Sequence, residues 1–320
     1  HTPRNPTMSN QNNQVTKKLH TLTLAEFVQD QTVHTVKASD SLEAAVELLY
    51  SNRIHSAPVL AEGKCVGVID MLDLLTHAVL VAPEKEELQT SNRKNKQEVL
   101  ERAGRALALQ TVGNVVGLSG KDTYVPLDRD NEATLAGDMF ATGVHRCPVV
   151  DEAGTVVGTL SQSAIVRWLA EQATTPLKAF PGFDLPLAAA GLGQTEVVAV
   201  QKTADMLDVL STVQTAGVSA VPVVDSEGSL VGTFSATDLT AFWEEKLPSF
   251  GKSVQDFLAH NSPNSLTSDS LPAEGTTVRQ VVAYFAEKPY HRVWITSNGK
   301  PTGVVSHTDL MCFLRDFKAE

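Results

Sequence analysis

Apolar residues recur at helical spacing in three places: Leu42, Ala45, Val46 and Leu49; Met206, Leu207 and Leu210; and Val278, Val281, Val282 and Phe285. Residues three and four apart share a helix face, so each set predicts an amphipathic helix with one buried stripe. Short β-branched stretches ahead of them, Val33–Val36 and Val197–Val200, predict strands. Behind them, paired apolar runs flank turn sequences such as Asp151-Glu152-Ala153-Gly154 and Asp225-Ser226-Glu227-Gly228, the pattern of a hairpin. The predicted unit is strand, helix, strand, hairpin, strand, helix, about 55–60 residues long.

Two phrases show that this unit occurs four times. The first is a glycine, a short strand, a turn, then a fixed slot before an apolar residue. It stands as Gly67-Val68-Ile69-Asp70-Met71-Leu72-Asp73-Leu74, Gly158-Thr159-Leu160-Ser161-Gln162-Ser163-Ala164-Ile165, Gly232-Thr233-Phe234-Ser235-Ala236-Thr237-Asp238-Leu239 and Gly303-Val304-Val305-Ser306-His307-Thr308-Asp309-Leu310. The second ends a helix and opens a strand, at Arg53–Val59, Gly143–Val149, Gly217–Val223 and Pro289–Ile295. From its Pro58, Pro148, Pro222 or Trp294 to the slot is 15, 16, 16 and 15 residues. Trp294 in place of proline predicts either an altered strand start or a presented aromatic face. A single unit can hardly bury its own sheet and helices, so neighbours are expected to pair two by two.

This gives repeat 1 over 19–82, repeat 2 over 111–172, repeat 3 over 196–247 and repeat 4 over 248–320. A charged insertion and linker helix fill 83–110, and a Pro-, Gly- and Ala-rich linker fills 173–195. Residues 1–18 read as a disordered polar tail, with His1–Thr7 an expression remnant and Met8 a natural start.

Charge narrows the chemistry. Twenty-six basic against thirty-seven acidic residues give a net charge of −11, which opposes a polyanion and argues against nucleic acid as a partner. A small phosphate ligand needs only a local positive pocket. Cys65, Cys147 and Cys312 lie far apart without metal spacing, as in a reduced cytosolic protein. No apolar run is long enough to span a membrane. A cytoplasmic location is expected, with the nucleus as the alternative. The chain has no GxxxxGK[ST], CxxC or GxSxG motif.

The paired phrases resemble the cystathionine-β-synthase (CBS) domain, and four in a row resemble the gamma regulatory subunit of AMP-activated or SNF1-type protein kinases. The resemblance implies an α/β fold of four β-α-β-β-α repeats, two Bateman modules packed as a disc, with nucleotide clefts near the centre. It also implies AMP, ADP or ATP as ligand, no required cofactor, no metal and no catalysis. A protein kinase catalytic subunit and a scaffold subunit are the implied protein partners.

The resemblance carries roles to particular residues. Asp73, Asp238 and Asp309 occupy the slot where family members hold ribose; an ionised carboxylate suits a vicinal diol. Ser235, Thr237, Ser306 and Thr308 stand beside them in the turns. The alternative is that Thr-Asp simply caps the next helix. Ala164 fills the fourth slot without an oxygen, so that site is expected to be empty. His55, His145, Arg146, His291, Arg292 and Ser219 share the position from which the family contacts phosphate. The alternative there is a polar cap on the helix C-terminus. Asp70 and Leu72 depart from the turn pattern and place a negative charge near the first site. His77, His260 and His307 are expected at the surface.

Three functions compete: a nucleotide-binding regulator; an interaction scaffold like the fungal stress-related four-CBS proteins associated with phosphatase regulation; and an enzyme. The repeats use up the chain, which leaves an enzyme no catalytic domain.

Overall fold

A computed structural model describes residues 22–81, 98, 102, 109–120, 124–173, 181–241 and 251–317. The tail, most of the charged insertion with its linker helix, and residues 174–180 of the second linker lie outside the described residues.

Each repeat builds one three-stranded sheet. Repeat 1 has β1 (Val36–Lys37), β2 (Ser56–Ala61) and β3 (Lys64–Asp70), and repeat 2 has β4 (Leu127–Asp128), β5 (Arg146–Val150) and β6 (Val156–Ser161). Repeat 3 has β7 (Val200–Gln201), β8 (Ala220–Val224) and β9 (Leu230–Ser235), and repeat 4 has β10 (Ser270–Pro272), β11 (Arg292–Ser297) and β12 (Lys300–Ser306). In every sheet the short first strand runs parallel to the middle one, which forms an antiparallel hairpin with the third.

The lead strands expected over Val33–Val36 and Val197–Val200 begin only at Val36 and Val200. Proline explains the shortening. The parallel pairing starts one residue after it, at Val36↔Val59, Leu127↔Val149 and Val200↔Val223, because proline has no N–H for a ladder. Where Trp294 stands instead, pairing starts on that residue, at Ser270↔Trp294, and runs for three pairs.

The predicted stripes are buried: Leu42, Ala45, Val46 and Leu49 in the helix Leu42–Ser51, and Val278, Val281, Val282 and Phe285 in Val278–Glu287. In Met206–Thr215 the stripe is Met206, Val209, Leu210 and Val213, with Leu207 only half-buried. Side-chain caps fix where the helices begin. Ser41 accepts from the Ala44 N–H, and Thr277 and Gln280 form a capping box. Both predicted turns are closed by aspartate: Asp151 Oδ1 accepts from Ala153 and Thr155 N–H, and Asp225 Oδ1 from Glu227 and Ser229 N–H.

The glycine that opens the first phrase marks a crossing. The segment leading into each repeat covers the sheet of its partner: 24–28 lies on the sheet of repeat 2, and 112–118 on that of repeat 1. A β-carbon on Gly158 would overlap Val28, and one on Gly67 would lie 2.6 Å from Val116 Cγ2. Likewise one on Gly303 would overlap the backbone of Gly193, and one on Gly232 would lie 3.1 Å from the Ser265 carbonyl oxygen. Chain neighbours therefore exchange their lead-in segments, 1 with 2 and 3 with 4.

The described chain divides into two compact units. One, called here the even unit, gathers 125–196, 269–320 and the lead-in of repeat 1; the odd unit gathers 34–124 and 197–268. Chain neighbours pair as expected, through the exchanged lead-in segments; each compact unit in turn joins alternate repeats, 2 with 4 or 1 with 3, because helices pack across them. In the even unit the helices Ala133–Ala141 and His307–Asp316 pack together, as do Gln162–Ala173 and Val278–Glu287. In the odd unit Met71–Val81 packs on Met206–Thr215. Each unit has its own continuous apolar core.

Candidate functional site

The three slot aspartates sit in different surroundings although the phrase that carries them is shared. Asp73, in the odd unit, is 1% exposed. Its Oδ1 accepts from the Ser119 N–H at 2.9 Å and its Oδ2 from the Gly117 N–H at 3.2 Å. The lead-in of repeat 2 thus grasps both oxygens. Burial pushes this carboxyl above its ordinary range, and the bonds from Ser119, Gly117 and Asp70 oppose the rise. Asp70 serves the backbone: its Oδ1 accepts from Leu72 and Asp73 N–H at 2.8 and 3.0 Å, capping the helix Met71–Val81.

Asp238, also in the odd unit, is buried. Oδ2 accepts from the Ser235 N–H at 2.7 Å and its hydroxyl at 3.1 Å, while Oδ1 accepts from Ser265 Oγ at 2.6 Å. Burial raises this carboxyl too, against the bonds from Ser265, Ser235 and Ser262. Ser235 Oγ also meets Thr237 Oγ1 at 2.6 Å.

Asp309, in the even unit, is half-buried. Its Oδ2 accepts from the Ser306 N–H and Oγ–H, both at 2.7 Å, and Ser306 caps the helix His307–Asp316 in return. Its Oδ1 has no protein partner among the described residues. Asp309 also borders a cavity of about 390 Å³ between that helix and the lead-in of repeat 3, lined by Leu185, Ala190, Leu192, Cys312 and Phe313. The corresponding opening in the odd unit, about 300 Å³, is lined by Val66, Val68, Val116, Gly117 and Tyr124, and Asp73 does not reach it. Ala164 has no side-chain oxygen, and its N–H donates to Ser161 Oγ at 3.3 Å.

The second-phrase residues divide the same way. His145, Arg146, His291 and Arg292 fall in the even unit, and His55 and Ser219 in the odd unit; all six are half-buried. The even unit brings His291, Arg292 and His145 close to His307. The rings of His291 and His307 lie 5.4 Å apart, and the charges of Arg292 and His145 act on His307. In the odd unit the Ser219 carbonyl accepts from the Ala236 N–H, closing the strand end.

Two histidines expected at the surface are buried: His307, 4% exposed, and His77, 9% exposed; His260 is exposed as expected. Neighbouring copies explain the burial. The slot of His307 holds Met71, Gln162 and Ala236, all buried, and the slot of His77 holds Trp168 and Phe313. The His307 slot is buried in every repeat and the His77 slot is buried or half-buried wherever it is described, so aligning the phrases is the available signal. Burial pushes His307 down to about 3, helped by Arg292, His145 and Arg167. Gln162 and Thr308, at equivalent and adjoining slots, are joined by a bond from Gln162 Nε2 to Thr308 Oγ1 at 2.9 Å. No group of three or more metal-ligating side chains occurs among the described residues. No helix there is long and apolar enough to cross a membrane.

Comparison with known proteins agrees with this architecture. Protein MJ1225 of Methanocaldococcus jannaschii, described as a candidate archaeal homologue of g-AMPK, superposes with a TM-score of 0.67 at 16% identity, over 91% of this chain and 99% of its own. An uncharacterized conserved protein of Pyrococcus horikoshii superposes at 0.50 and 20% identity, over 89% of this chain and 96% of its own. Among curated proteins, sds23 of Aspergillus clavatus is 29% identical over 310 residues, covering 88% of this chain and 57% of its own. Sds23 of Neosartorya fischeri is 29% identical over 318 residues, covering 88% and 55%. The chain thus spans little more than half the length of these relatives. The CBS-domain family model matches residues 26–79, 125–171, 190–245 and 272–316, one span for each sheet. With more than half of its length matched and the four sheets to go with it, the chain belongs to the CBS-domain family.

Proposed function

We propose that this chain is a non-catalytic regulator that binds an adenine nucleotide (AMP, ADP or ATP) in its even unit. Asp309 accepts the ribose hydroxyls there, and His145, Arg146, His291 and Arg292 receive the phosphate. The observation that carries the reading is the open Oδ1 of Asp309 beside a cavity, in the unit that also gathers these cations. A carboxylate oxygen there meets the sugar, while guanidinium and imidazole groups offer charged donors to the phosphate. Asp238 takes a second nucleotide only if Ser265 is displaced, and Asp73 serves as an internal clasp. His55 and Ser219 are then minor contacts at most, since the positions after them hold Ser56 and Ala220 where the even unit has Arg146 and Arg292.

Calorimetry with AMP tests this. Asp309→Ala is expected to remove the tightest site, while Asp73→Asn lowers Tm and leaves the number of sites unchanged. Unchanged binding in Asp309→Ala overturns the assignment.

A second reading is an interaction scaffold or a phosphatase and stress regulator, its clefts empty or incidental. The curated relatives favour it, being fungal Sds23 proteins rather than kinase subunits. Thermal shift separates the two. A ligand well above its Kd adds a few kcal/mol to stability, so no shift with millimolar AMP, ADP or ATP selects the scaffold. A kinase catalytic subunit with its scaffold subunit is the partner set of the first reading, and a phosphatase that of the second.

A further inference from the structure

We infer that His307, through Nε2, donates directly to the phosphate of the ligand held in the even unit, adding a donor from repeat 4 to the cations that receive it. This rests on the nucleotide reading above and adds to it a residue outside the phosphate position of the second phrase.

His307 is the first residue of the helix His307–Asp316, two residues before Asp309. It is buried at 4% exposure, and its Nε2 has no partner among the described residues. An orphaned buried nitrogen is costly, and such groups are few in native proteins. The remainder of the ring is well held. Nδ1 lies 3.3 Å from Ser163 Oγ, and the ring meets Phe285 edge to face with centroids 4.5 Å apart. When Ser163 donates to Nδ1, the proton sits on Nε2 and the ring presents a neutral N–H donor. The charges acting on it, those of Arg292, His145 and Arg167, are all positive. Such surroundings oppose a proton on the ring and favour an anion beside it.

The other three copies lack this donor. Gln162 holds the equivalent place in repeat 2, but its amide already donates to the Phe140 and Val144 carbonyls and to Thr308 Oγ1. Met71 and Ala236 hold it in repeats 1 and 3 and have no donor. Only repeat 4 combines a slot aspartate with an unengaged carboxylate oxygen and a ring nitrogen with no protein partner. The half-buried His291 ring stands 5.4 Å away, so a phosphate received by His291 lies next to the His307 ring.

The test is calorimetry with AMP and with adenosine, on the wild type and on His307→Phe and His307→Gln, with Tm measured to confirm folding. Loss of one charge-assisted hydrogen bond predicts about tenfold weaker AMP binding in His307→Phe, with adenosine unchanged. His307→Gln, which keeps a donor, is expected to lie between. Nitrogen-15 spectra of the wild type are expected to show the Nε2–H form in the AMP complex. Equal losses for AMP and adenosine, or no loss in a folded variant, overturn the inference while leaving the nucleotide reading intact. Failure of the wild type to bind AMP at all overturns both.

Discussion

The two units are built from the same repeat and differ in what they bury at the helix starts. The odd unit buries carboxylates, Asp73 and Asp238, and satisfies both oxygens of each from its own chain. The even unit buries Gln162 and His307 there and leaves its slot carboxylate half-open beside a cavity. A buried acid whose partners are all internal works as a clasp, because displacing it exposes several donors at once. An acid with one open oxygen keeps that oxygen available to an outside donor. One repeated sequence phrase therefore yields a closed carboxylate in one unit and a half-open one in the other, and the difference lies in a few side chains around a common backbone.

The contrast can be broken most directly at the crossing glycines. Gly303→Ala in the even unit places a methyl group into the Gly193 backbone, whereas Gly232→Ala in the odd unit meets a carbonyl oxygen at 3.1 Å. The first is expected to cost about 3 kcal/mol or more and the second about 1 kcal/mol or less, measured by denaturant unfolding. Equal costs mean that the lead-in of repeat 3 does not lie against β12. Next in size is Gln162→Met, which gives the even unit the residue found at Met71. It removes the two N–H donors that the Phe140 and Val144 carbonyls and Thr308 Oγ1 share, and a loss of about 2 kcal/mol is expected by the same measurement. No loss indicates that the polar pair is dispensable to the fold.

Acid sharpens the comparison with the smallest effect. His307 is pushed down to about 3 in the folded protein. The unfolded chain therefore binds the extra proton first, and stability contributed by the neutral ring falls as pH drops from about 6.5 toward 3. By pH 5.5 the even unit is expected to lose about 1 kcal/mol relative to pH 8. Asp73 and Asp238 have the opposite sign: their raised pKa values favour the folded state as pH falls through them. His77, lowered by burial, partly offsets this in the odd unit. Amide exchange at pH 8 and pH 5.5 is expected to show the even unit opening more readily in acid, and His307→Gln removes that difference. An acid response confined to the odd unit contradicts it.

Most of the architecture was legible because four copies agreed. The helix stripes and the hairpin turns follow from spacing, and Trp294 stands out as a departure whose effect on the strand start the missing N–H of proline explains. Two things were not legible. Which repeats share a unit depends on helix faces that are apolar in every copy, so periodicity cannot rank them. Whether a slot aspartate is open depends on residues far along the chain: Ser119 reaches Asp73 and Ser265 reaches Asp238. Taken singly, His307 and His77 carry no mark of burial; it is the apolar residues Met71, Ala236, Trp168 and Phe313 at the matching slots that point both inward.

The exchanged lead-in segments set an order on synthesis. The sheet of repeat 1 stays uncovered until the stretch around Val116 has left the ribosome, and β12, near the chain's end, must find Gly193 made long before. Such distant partners slow folding and prolong the exposure of apolar strands. A nascent chain stalled after its third repeat would carry a nearly finished odd unit and an even unit missing half its wall, which makes it a natural client for chaperones.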